Sequence, residues 1–70
     1  MTLDWSDPRE IAIALADAHE DMDTGQVMYV RFTDLLALIM ALDGFAGDAS
    51  DCSEGRLESV QAAWLEEIEE

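Results

Sequence analysis

The residues of this sequence best suited to chemistry are carboxylates. Asp17, Glu20 and Asp21 stand at i, i+3 and i+4, with Asp23 just beyond. On a continuing helix that spacing puts the first three on one face. Clustered carboxylates suit hard, oxygen-preferring cations such as Fe(II), Mn, Mg or Ca. These four residues are therefore the candidate metal ligands. The competing reading is a solvated acidic face with loosely associated ions.

Two loops invite comparison with an EF-hand, and both fail. From Asp21 the twelfth position falls on Phe32, where a bidentate Glu is required. From Asp43 to Glu54, acids occupy positions one, nine and twelve, but Phe45 and Gly47 stand at three and five. His19 is the single histidine and Cys52 the single thiol, on different elements, and nothing in the pattern positions them as a nucleophilic pair. They read as a helix-end histidine and an ordinary cysteine near a cap. The chain has no glycine-rich phosphate loop and no thiolate–imidazole zinc spacing. An acyl-carrier role would need Asp-Ser-Leu at a helix start. Trp5-Ser6-Asp7 and Asp51-Cys52-Ser53-Glu54 both lack that order. The expectation is a protein that is not an enzyme.

Charge narrows the remaining classes. Seventeen acidic residues face three arginines and no lysine, a formal net charge of −14, while half of the residues are hydrophobic. Such a chain can fold and still present a negative potential over its exterior, which favours basic protein surfaces or cations as partners. Nucleic acid and anionic membranes are disfavoured, because affinity for phosphates comes largely from Lys and Arg. One reading is left open by charge alone: an acidic protein that mimics nucleic acid and blocks a basic site on another partner. With one cysteine, no internal disulfide can form. The opening MTLDWSDPRE has neither the basic region nor the apolar run of a signal peptide. The longest apolar run, Leu35 to Leu42, is too short to span a membrane. A cytoplasmic monomer, one domain over residues 1–70, is expected.

Three helices and one extended stretch must position these residues. The first helix opens with a capping box, Asp7 at the cap, Pro8 at the first position and Glu10 reaching back. Ile11, Ala14, Leu15 and Ala18 form its apolar face, Ile13 lies off it, and Trp5 packs over the first turn. The helix fades near His19. Val27 to Phe32 is β-branched and aromatic and reads as a short strand. Thr33 caps a second helix with Asp34 near its positive end, and its nearly all-round apolar surface predicts the most buried element. Gly44 is its expected C-cap. The third helix is expected to begin with a capping box from Asp51 to Glu54, with Leu57, Val60, Trp64 and Ile68 inward. Met22, Met28 and Met40 have no motif spacing and read as core filling.

The order of several short motifs resembles a known family. Leu3-Asp-Trp5-Ser-Asp7-Pro-Arg9-Glu10-Ile11 is followed by Ala14-Leu15, Asp17-Ala18 and Asp21-Met-Asp23. Val30-Arg31-Phe32-Thr33-Asp34-Leu35 and Ala63-Trp64-Leu65-Glu66-Glu67 complete the set. From about Leu3 to Glu67 this resembles the IscX family, small acidic proteins of bacterial iron–sulfur cluster assembly. The resemblance implies a mainly α, modified winged-helix fold, with three helices and a short strand or wing. It implies an accessory, regulatory role, binding to the cysteine desulfurase at a basic surface also used by frataxin, and weak Fe(II) binding. The partner-facing acids would be Asp4, Asp7, Glu10, Asp17 and Asp21, with Asp23 in the acidic stretch.

Three features depart from the family pattern. Leu36-Ala37-Leu38 stands where the family usually has a His and a Trp. The acidic loop before the last helix runs from Gly47 to Glu54 in an altered order. Val27-Met28-Tyr29 looks like a short insertion, expected to lengthen the strand or wing.

Overall fold

The structure, a computed structural model, describes residues 3–69. Asp7 begins the first helix as its chemistry demands. Its carboxylate accepts from the Glu10 amide at 3.3 Å, and α1 runs over Pro8–Ala18. The box is half formed, since the Asp7 amide donates to the Asp4 carbonyl at 3.3 Å. The helix stops at His19, whose φ of −129° and ψ of 55° leave the helical region. The last turn has no basic residue and Glu20 and Asp21 follow, so charge at the negative end of the dipole opposes further extension.

The expected strand is instead a single helical turn, α2, over Thr24–Met28. A complete capping box decides this. The Asp23 carboxylate accepts from the Gln26 amide at 2.9 Å, and the Gln26 side chain accepts from the Asp23 amide at 3.0 Å. Among the described residues an extended segment here has no strand to pair with, whereas a helical turn buries Val27 completely. Gln61 then donates to the carbonyls of Val27 and Met28 at 2.9 and 3.1 Å, satisfying groups that a helix end leaves free. The Val27–Tyr29 segment thus adds a helical turn and not a longer wing. Among the described residues the sole β pairing is an isolated parallel bridge between Leu3 and Phe45.

α3 spans Phe32–Met40, one residue ahead of the expected cap. Arg31 is the N-cap, with no side-chain bond, and Thr33 lies inside the first turn. α3 is not the most buried element. Leu35 and Ile39 are fully buried, Leu36 and Leu38 are half-buried, and Met40 is 39% exposed. A core one layer thick covers only one side of a nine-residue helix. Gly44 does adopt a left-handed φ of 80°, but in the turn after α3, while Ala41 ends the helix.

After a 3-10 turn at Ala49–Asp51, α4 runs over Glu54–Glu69. Its cap is Ser53, whose hydroxyl accepts from the Arg56 amide at 3.2 Å, so the expected box from Asp51 is not formed. Asp51 belongs to the 3-10 turn. Four α-helices are therefore present among the described residues, and the chain is mainly α, with almost no strand.

The core lies chiefly between α1 and α4. Ile11, Ala12 and Leu15 meet Leu57, Val60 and Trp64, with Trp5, Val27, Leu35 and Ile39 around them. Ala12 takes the place expected for Ala18, which is exposed. Ala14, Ile13 and Ile68 are half-buried. Of the methionines expected in the core, Met22 packs there, whereas Met28 and Met40 are exposed. The radius of gyration of 10.8 Å matches the roughly 11 Å of a compact chain of this length.

Candidate functional site

No polar or charged residue among those described is buried, so the charge lies on the surface. Helix α1 distributes part of it. Asp7 caps one end and Asp17 lies near the other, which separates them by about 15 Å at the helical rise. Glu10, half-buried, sits in the first turn. Of the expected partner-facing acids, Asp4 and Asp7 thus precede α1, Glu10 and Asp17 lie within it, and Asp21 falls in the turn after it.

The expected metal ligands do not share a helical face. Asp17 is on α1, but the helix ends before Glu20 and Asp21, which fall in the following turn. The Asp23 carboxylate is engaged as the cap of α2. Among the described residues no three Asp, Glu, His or Cys side chains gather in a way that could hold a metal ion.

Two surface hollows show what the spacing alone misses. One is lined by Asp4, Trp5, Ser6, Gly47, Asp48, Asp51 and Arg56. The Leu3–Phe45 bridge draws the acidic loop beside Asp4, across a chain separation that no local pattern reveals. The Ser6 hydroxyl and amide both donate to Asp4 Oδ1, the amide at 2.9 Å. These bonds, the hydroxyl's first, lower the Asp4 pKa, with a smaller contribution from Arg56. The Ser50 amide, 3.0 Å from Asp48 Oδ1, likewise lowers the Asp48 pKa. The Trp5 indole N–H donates to the Asp48 carbonyl at 2.8 Å, closing the corner.

The second hollow lies between α1 and the end of α3, lined by Ala14, Asp17, Ala18, His19, Leu38, Leu42 and Asp43. It places Asp17 with Asp43, an acid singled out earlier only as a failed EF-hand position. His19 rests against Trp64, ring centroids 6.2 Å apart, and Cys52 is half-buried against the core. Both have the packing expected of ordinary side chains. No helix among the described residues is long and apolar enough to cross a membrane.

These features define a small, acidic, mainly helical protein with no buried charge among its described residues. Comparison with known proteins gives its family. The family model described as iron-sulphur cluster assembly matches residues 3–69, and the chain belongs to that family, the family of the IscX proteins. An uncharacterized protein of Pseudomonas aeruginosa is 40% identical over 67 residues, covering 96% of this chain and 97% of that relative. Membership places the protein in iron–sulfur cluster assembly, within a family of accessory proteins and not a known family of enzymes.

Proposed function

We propose that this protein regulates iron–sulfur cluster assembly by docking its acidic surface on a basic surface of the cysteine desulfurase, the surface that frataxin also uses. The observation that supports this most is the pairing of family membership with a net charge of −14 and a core that buries no charged residue among those described. Acids spread along α1 and around the Asp4–Asp48 corner suit a broad electrostatic contact. They suit it better than chelation, which needs donors converging within a few ångströms.

On this reading the protein acts as a monomer in the cytosol, without catalysis of its own. Fe(II) is a weakly held ligand, drawn to the negative surface and not to a formed cage. The helical core is the helical part of a winged-helix arrangement, its wing reduced to the Leu3–Phe45 bridge. Titration with the desulfurase at low and high salt tests the docking. Binding should weaken steeply as salt screens the charges, and absence of binding at low salt would refute it. For iron, the wild type is compared with a variant carrying Asp17→Asn, Glu20→Gln, Asp21→Asn and Asp23→Asn. Equal Fe(II) binding by the two would reject those residues as the ligands.

A further inference from the structure

We infer that Met28 and Tyr29 form an apolar anchor by which the acidic surface holds its basic protein partner, an inference that rests on the docking reading above. Tyr29 is 82% exposed and Met28 54% exposed, the two most exposed large hydrophobic residues among those described. Their exposure is built in. The Asp23–Gln26 capping box fixes the start of α2, and Val27 is fully buried beneath it. Gln61 grips the end of the turn through the Val27 and Met28 carbonyls. Folding needs Val27 inside and gains little from its two neighbours outside. A rigid turn presenting an aromatic side chain loses little freedom on binding, which is the condition for an efficient anchor.

Charge selects the occupant. The acidic stretch Glu20, Asp21 and Asp23 precedes the anchor in the chain and Arg31 follows it, and with a net charge of −14 a partner covering Tyr29 meets a predominantly negative molecule. A second copy of this chain would bring another −14 against the first, and like charges oppose that pairing. A basic surface with an apolar pocket satisfies both parts. Steering by carboxylates sets the rate of encounter, and a buried tyrosine, among the commonest interface hot spots, sets the lifetime.

The test measures binding of the full chain to the cysteine desulfurase at several salt concentrations. Wild type is compared with Tyr29→Ala, Met28→Ser and the double variant Asp17→Asn, Asp21→Asn. Tyr29→Ala should keep the wild-type circular dichroism and melting temperature, because the side chain supports nothing inside. It should bind about tenfold or more weakly, through faster dissociation, with the salt slope unchanged. Met28→Ser should weaken binding in the same manner, whereas the carboxamide variant should flatten the salt slope. Tyr29→Ala binding within about twofold of a wild type that does bind overturns the anchor and leaves the docking reading standing. A wild-type dimer that Tyr29→Ala makes monomeric overturns the anchor too, since a second copy then covers the turn. No binding by the wild type at low salt overturns both.

Discussion

Replacing either of two glycines by alanine should change stability in opposite directions. At Gly47 an added Cβ would lie 2.6 Å from Phe45 Cζ, 2.8 Å from Phe45 Cε2 and 2.9 Å from Trp5 Cδ1. Carbon atoms pack at about 3.5–4.0 Å, so about an ångström of clearance must be found. The half-buried Phe45 ring can give some of it by swinging out. Trp5 cannot follow easily, because it is buried, stands edge-on to Phe45 at 5.1 Å and donates to the Asp48 carbonyl. Overpacking of this kind costs about 1–3 kcal/mol. For a domain this small that lowers the Tm by about 5–20 °C. Backbone strain is not involved, since Gly44 is the one glycine with positive φ. At Gly55, in the first turn of α4, a new Cβ meets nothing within 4 Å. Gly55→Ala should add about 0.4–1 kcal/mol by reducing the freedom of the unfolded chain. Thermal unfolding followed by circular dichroism measures both, and tryptophan emission reports the Trp5 corner. A Gly47→Ala protein melting at or above the wild type would refute the reasoning.

Three further outcomes are expected. Moderate salt should raise the Tm by screening repulsion among uncompensated carboxylates, and a scanning-calorimetry series in which Tm falls with salt would contradict this. Stability should rise as pH drops from neutrality toward the isoelectric point near 4.1, because net charge shrinks. It should then fall below the ordinary aspartate value of 3.8, because Asp4 and Asp48 have lowered folded values and their contribution is lost as pH passes down through them. Asp4→Asn should flatten that acid limb in a melting series, and an unchanged limb would remove Asp4 from the explanation. Leu15→Ala should cost about 2–5 kcal/mol. Trp64→Phe should cost less when the two are compared by urea titration, because it also removes an indole N–H that is buried without a hydrogen-bond partner.

Much of the fold was legible where a local rule had no competitor. Asp7-Pro8 starts α1 because capping chemistry is decided within four residues, and Leu57, Val60 and Trp64 face inward because their helical spacing is regular. Val27–Phe32 misled because β-branched and aromatic residues suit either a strand or a buried turn. The decision lay in the Asp23–Gln26 capping box just ahead of the segment, and Gln61, more than thirty residues away, holds the end of the turn. Asp51 and Ser53 both offered a cap, and the 3-10 turn settled the choice. For the acids, spacing predicted a helical cluster at Asp17, Glu20 and Asp21 that required α1 to continue. Asp48 and Asp51 were visible as acids but not as neighbours of Asp4, because the Leu3–Phe45 bridge joins segments that share no local pattern.

The separation of core from charge implies that salt acts on this protein in two opposed ways. No charged group among the described residues is buried, so stability comes from a small apolar core and repulsion on the surface works against it. Screening relieves that repulsion and stabilises the fold. On the proposed docking, the same screening weakens attraction to the basic partner, because both effects would run through exposed carboxylates. Stability and affinity should therefore move apart along one salt series, the Tm rising while the dissociation constant rises with it. An acid that matters to docking should, when converted to its amide, raise Tm and lower affinity together at low salt. Asp17 is suited to show this, since it is exposed and caps nothing. Asp7→Ala and Asp23→Ala should lower both, because truncation also removes the acceptor that holds each helix start. That contrast distinguishes acids kept for the partner from acids kept for the fold.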